Sequence, residues 1–272
     1  MMRTPSLIAP LLAACFAASA VLADDGAFSD AQVIFLGEVH DNPAHHARQA
    51  ELVAELKPVA LVFEMLTTDQ SALIHPEDLE NEAGLAEKLD WENSGWPEFS
   101  MYFPIFTAAP GAAIFGAQLP REEARRVSGE PLDRVFGPSA GFYGLDEPLP
   151  PEEQAMRESM QMAAHCDSLP LETLPTMVGI QRLRDARLAE TALEALSMHG
   201  GPVVVITGNG HARTDWGAPA LLKRAAPEVT VAALGQGETG SEGPDGSFDQ
   251  VEETAGVERD DPCKAFEKPP AN

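Results

Sequence analysis

The sequence predicts an α/β fold with a largely parallel central sheet flanked by helices and a helical insertion over the strand carboxyl ends. Two observations lead there. Short apolar runs alternate with helix-period segments along the 272 residues, which is the order that builds parallel sheets. Two of those runs also end in the same turn, Gly37-Glu38-Val39-His40 and Gly208-Asn209-Gly210-His211.

The first run, Val33 to Leu36, reads as a strand buried on both faces. Asn42 is a good helix N-cap and Pro43 suits the first helical position, so a helix is expected over 44–56. Glu38, His40 and Asp41 then lie on a strand-to-helix turn, where ligands collect in open parallel sheets. Pro58 stops that helix, and residues 59–63 form a second strand ending at Glu64. Residues 69–73 and 77–89 read as short polar helices. Residues 91–109 hold Trp91, Trp96, Phe99, Tyr102, Phe103 and Phe106, several at helical spacing that suits core packing. Residues 112–117 form a third strand, 121–126 a basic helix, and 132–150 irregular chain rich in Gly and Pro. Helices follow over 151–164, which bears Met156, Met160 and Met162, and over about 176–197. Residues 203–206 make the fourth strand, 218–226 a short helix and 229–234 the fifth strand.

Three segments are expected. Residues 1–23 read as an export signal, with Arg3 before an apolar stretch from Leu7 to Leu22 and small residues before Asp24. Residues 24–235 form one α/β domain. Residues 236–272, with ten acids against three bases, read as a solvated tail. Leu12-Ala13-Ala14-Cys15 also resembles a lipobox, so a periplasmic protein and an envelope lipoprotein anchored at Cys15 are both open. Membrane attachment is expected only through such an anchor. After cleavage Cys166 and Cys263 remain, and an even count in an exported chain suggests one disulfide, with two free thiols as the alternative. The balance of 43 acids and 18 Lys plus Arg, net −25, leaves no general attraction to nucleic acid or anionic lipid.

The candidate site is His40, Glu64 and His211, each at a strand end, with Glu38 nearby. Two imidazoles and carboxylates suit a divalent ion such as zinc or manganese. The bland alternative is that they bond loops and cap helices. At least one of His45 and His46 is expected to face solvent, while a carboxylate or phosphate suits the helix start beside them. No Gly-x-Ser-x-Gly elbow, Walker loop or His-Glu-x-x-His helix is present.

Phe35-Leu36-Gly37-Glu38-Val39-His40-Asp41 with His45-His46, Phe63-Glu64-Met65, Gly208-Asn209-Gly210-His211, the 181–189 helix and Asp261-Pro262-Cys263 resemble the ChaN-like family of haem-binding, iron-regulated bacterial envelope proteins, related to TIKI-type metalloproteases. The resemblance implies a haem-binding protein of iron uptake. The relation to the proteases implies an alternative, a metal-dependent hydrolase with His40, Glu64 and His211 as ligands and Glu38 as general base. No Cys-x-x-Cys-His occurs, so haem is expected to be non-covalent. Trp96, Phe99, Phe103 and the methionines of 151–164 are expected to wall a slot. Tyr102, then Tyr143 or His46, are the expected iron ligands, and Arg184 or Arg213 the propionate partners. A homodimer sharing the wide haem disc is a further expectation.

Overall fold

The protein is described from a computed structural model that covers residues 26–261 and 263–264. The signal segment and Cys15 lie outside the described residues. Among those described, no helix is long and apolar enough to cross a membrane.

The framework comprises β1 (Val33–Glu38), α1 (Pro43–Leu56), β2 (Ala60–Phe63), α2 (Phe99–Ala108), β3 (Ala113–Gly116), α3 (Pro151–Ala164), α4 (Leu174–His199), β4 (Val203–Gly208), α5 (Ala218–Ala225), β5 (Val231–Glu238) and β6 (Gln250–Thr254). All pairings are parallel, in the order β3-β2-β4-β1-β5-β6. The α/β expectation with a parallel sheet is met. Asn42 accepts from the Ala44 amide and Pro43 opens α1, as its sequence dictates.

The strands alternate between two cores, because successive side chains leave opposite faces. Val33, Phe35, Val203 and Val205 pack with Leu183, Ala186 and Leu222 of α4 and α5. Ile34, Leu36, Val204 and Ile206 pack with Leu52 and Val53 of α1 and with Tyr102 and Phe106 of α2. Both faces are covered, which explains why the strands read as unbroken apolar runs. From β1 the chain leaves to β2, beyond β4; from β4 it leaves to β5, beyond β1. The adjacent carboxyl ends of β1 and β4 therefore form a topological switch point, where a crevice opens. Helix α3 places Arg157, Met160 and Gln161 over that crevice, as the insertion expectation requires.

The structure corrects three local expectations. The boundary at 235/236 does not end the sheet: β5 continues to Glu238 and β6 adds a parallel edge strand. Acidic β6 carries no apolar periodicity because its position at the edge leaves it partly solvated, and ion pairs hold it. Arg48 of α1 grips Glu252 at 2.7 Å. Arg259 bridges Asp41 and Glu238 through four bonds of 2.6–2.7 Å. Residues 132–150, expected to be irregular, contain a short helix over Leu132–Phe136 and a 3-10 turn over Ala140–Tyr143. His45 and His46 are both fully buried, since their helix start is covered by β5 and α2 instead of facing water.

Cys166 and Cys263 form a disulfide with Cα atoms 5.4 Å apart, closing 97 residues of sequence. It fastens the end of α3 to the chain beyond β6.

Two predictions follow from these fastenings. Blocking the bridge with Cys166→Ser should cost about 4 kcal/mol in denaturant unfolding, and alkylation of native exported protein should find neither thiol free. The Arg259 guanidinium holds Glu238 down at about 2 and Asp41 below its usual value. Because these pKa values are depressed in the folded state, their stabilisation is complete above the ordinary carboxylate range and fades as pH falls from about 4.5 towards 2. Arg259→Gln should flatten the acid limb of a stability-versus-pH curve in that window; an unchanged limb would show that the cluster is fully screened.

Candidate functional site

The two strand ends approach closely because each carries a glycine where nothing larger fits. A Cβ on Gly208 would lie 2.9 Å from His40 Nε2, and one on Gly37 would lie 2.8 Å from the Leu234 carbonyl and against the Asn209 amide. The two Gly-x-x-His turns thus interlock, and Asn209 bonds back to Gln236 of β5.

Glu38 is 2 % exposed and acts as a hub. Its Oε1 accepts from His40 Nδ1 at 2.8 Å and from the Tyr102 hydroxyl at 2.9 Å. Its Oε2 faces His46 Nδ1 at 3.4 Å and accepts no hydrogen bond among the described residues. His46 Nε2 in turn donates to the His40 carbonyl. His45 Nδ1 accepts from the Val39 amide while Nε2 meets the Gly237 carbonyl, which fixes it as a neutral ring. Burial lowers its pKa accordingly. His45 and His46 therefore brace the turn from beneath.

Glu64 leaves β2 beside β4. Its Oε2 accepts from Thr207 Oγ1 at 2.6 Å and from the Gly208 amide at 2.9 Å, and its Oε1 lies 3.7 Å from His211 Nε2. Burial disfavours its charge, but His211, His40 and these donors outweigh that and hold it near 2. His211 Nδ1 bonds Asp185 of α4 at 2.6 Å. Burial opposes protonation of His211, yet Glu64 and Asp185 raise its pKa. For His40 burial again works downward, and the Glu38 bond with the nearby carboxylates raises it to about 9. Each site histidine thus has Nδ1 tied to a carboxylate, the arrangement that orients an imidazole; His211 Nε2 then faces Glu64, while His40 Nε2 lies at the Gly208 turn.

These groups border a cleft of about 600 Å³ walled by Trp96, Met160, Val178 and Trp216, a size suited to a small molecule or cofactor. Among the described residues no group of three or more His, Cys, Asp and Glu side chains is arranged as a metal ion would require. The side chains are paired off instead, as the bonds above record.

The structure brings Glu38, His40, Glu64, His211, Arg184 and Arg213 to this cleft. Arg213 is 4 % exposed and committed, gripping Asp215 with two 2.6 Å bonds and stacking 3.6 Å over Trp216. Tyr102 and Tyr143 do not line it. Tyr102 is fully buried against Trp91 and His46, and burial beside Glu38 raises its pKa far above normal, the reverse of what a phenolate ligand needs. Tyr143 sits in the opposite core against Phe136, with burial pushing it up to about 12. His46 is likewise buried away from the cleft. Of the expected slot walls Trp96 and Met160 are present, whereas Phe99 is core and Met156 points to solvent. Sequence reading passed over Asp185 and Trp216. Asp185 was detectable as a carboxylate inside the apolar stripe of α4, one residue before Ala186.

Residues 26–222 match the family described as "Haem-binding uptake, Tiki superfamily, ChaN". Among solved structures the chain is similar to "Cofacial heme binding to ChaN of Campylobacter jejuni", at 20 % identity and a TM-score of 0.59 over 80 % of this chain and 86 % of that one. It is also similar to the type III effector HopBA1, at 16 % identity and a TM-score of 0.46 over 85 % and 90 %. No match is found among curated proteins. With most of its length matched and the motifs of that match closing one cleft, the chain belongs to the ChaN haem-binding uptake family of the Tiki superfamily.

Proposed function

We propose that this protein binds haem non-covalently in the cleft at the β1 and β4 ends and serves haem or iron uptake in the bacterial envelope. The observation that carries the reading is the pair of carboxylate-anchored imidazoles, His40 and His211, set on one apolar-walled cleft in a chain of this family. The donor set fits the group. His40 Nε2 is free for iron once Nδ1 is held by Glu38, and Trp96 and Met160 offer flat or adaptable apolar contact. Arg184 offers a cation to a propionate. Haem supplies a redox-active iron and an apolar disc; the chain supplies orientation, desolvation and charge balance. A homodimer that shares the wide haem disc between two copies of this chain is part of the proposal. Export follows from the signal-like N-terminus.

The hydrolase alternative gains no separate support. Its general base, Glu38, is buried with Oε1 already accepting two hydrogen bonds, which makes it an orienting group.

Haemin titrated into the mature protein should give a saturable Soret shift. His40→Ala should move the band or abolish saturation, and Asp185→Asn should weaken binding about ten- to a hundredfold if His211 is a ligand. Tyr102→Phe should leave the Soret position unchanged while costing about 1–3 kcal/mol of stability, because Glu38 loses a donor. A spectrum that stays that of free haemin, or one altered by Tyr102→Phe and not by His40→Ala, would refute this ligand assignment. Sedimentation with and without haemin tests the dimer.

A further inference from the structure

A side pocket of about 250 Å³ opens off the main cleft and shares Glu64, Trp96 and Arg184 with it. Its wall includes Ala117, Leu119 and Leu188, and two guanidiniums face it, Arg121 and Arg184. Every other arginine at the main cleft is neutralised within the chain: Arg157 by Glu153 and Arg213 by Asp215. Arg184 forms no hydrogen bond or ion pair among the described residues. Among the described residues Arg121 has only a 3.4 Å bond to the Ser94 carbonyl. In a chain with 43 acids to 18 bases, two guanidiniums on one cavity with no carboxylate paired to either among the described residues stand apart. Trp96 borders both cavities, and its indole Nε1 is buried with no acceptor among the described residues. A buried donor without a partner costs free energy until an acceptor arrives. The one acid on the pocket, Glu64, is engaged on its other side by Thr207, Gly208 and His211.

We infer that this side pocket is the subsite for a carboxylate arm of the ligand held in the main cleft. Arg184, at the junction of the two cavities, takes the carboxylate first; Arg121 and the Trp96 indole complete its shell. Guanidinium and carboxylate match in shape as well as charge, so the subsite also fixes which way the ligand lies. The identity of that ligand rests on the haem reading, whose porphyrin carries two propionates; the existence of the anion subsite does not.

Two measurements separate these. Benzoate, followed through the indole Nε1–H signals in a ¹H–¹⁵N spectrum with Trp96→Phe for assignment, should move the Trp96 signal downfield and saturate. The movement should vanish in Arg121→Gln/Arg184→Gln, which removes no internal ion pair and should keep the fold. No saturable movement, or the same movement in the double variant, overturns the subsite. Haemin is then compared with haemin dimethyl ester. Esterification should weaken binding about ten- to a hundredfold in the unaltered protein and much less in the double variant. Equal losses in both overturn the assignment to a ligand arm. If benzoate binds and neither porphyrin does, the haem reading falls and the pocket is a site for free small carboxylates, which also overturns the ligand-arm inference.

Discussion

The close approach of the β1 and β4 carboxyl ends is the constraint on which the rest of the structure depends. Gly37 and Gly208 permit it, and the consequence is a high density of polar groups in little space. Glu38, Glu64 and His211 are drawn together where water is largely excluded, with half-buried His40 at their edge, so each buried charge needs a partner. The chain supplies partners from three directions: Tyr102 from α2, Asp185 from α4, and the Thr207 hydroxyl with the Gly208 amide from β4 itself. Removing any one partner leaves a buried charge underserved. This explains why so much of the chain's polar burial lies around a single crevice.

The same geometry decides how much was legible beforehand. Strands β1 to β4 were readable because apolar runs bounded by Gly and Pro have one economical outcome, and the repeated Gly-x-x-His turn marked both ends of the switch point. His40 and His211 were expected at one cleft for that reason, and the structure brings both of them there together with Glu64 from the end of β2. Strand β6 was not readable: it lies at the sheet edge, faces water on alternate residues and is held by Arg48 through an ion pair across 204 residues of sequence. The burial of both His45 and His46 escaped because the first turn of a helix is usually solvated, and only the packing of β5 and α2 over it overrides that default. Asp185 was hidden for a related reason, since a carboxylate in an apolar stripe reads as noise until its partner, His211, is known.

Charge placement has its own logic. A net charge of −25 raises the long-range cost of bringing any anion to this surface, although at physiological salt that field decays within about 8 Å. What an anionic ligand meets inside is different. Arg157 and Arg213 border the cleft already paired with Glu153 and Asp215. Arg184 borders it with no carboxylate partner among the described residues, and low local dielectric magnifies the effect of that one guanidinium. An acidic exterior with a single unpaired guanidinium at the cleft favours ligands whose binding is driven by apolar contact and whose few anionic groups find specific partners. Haem, an apolar disc with two carboxylates, has that profile.

The position of Tyr102 completes this argument. A phenol is a ligand for ferric iron only when its proton is readily lost, and a neighbouring carboxylate in a dry site makes that loss harder. Tyr102 is buried at the point where Glu38 most needs a neutral donor, and its ring packs on His46 at 4.3 Å. Its hydroxyl secures Glu38, Glu38 secures His40 Nδ1, and His40 thereby presents Nε2 at the interlocked glycine turns. The tyrosine acts on the cleft through two other side chains, as a positioning residue. Its bulk does the rest: with Phe106 it fills the core beneath β1 and holds fixed the floor on which the histidines stand.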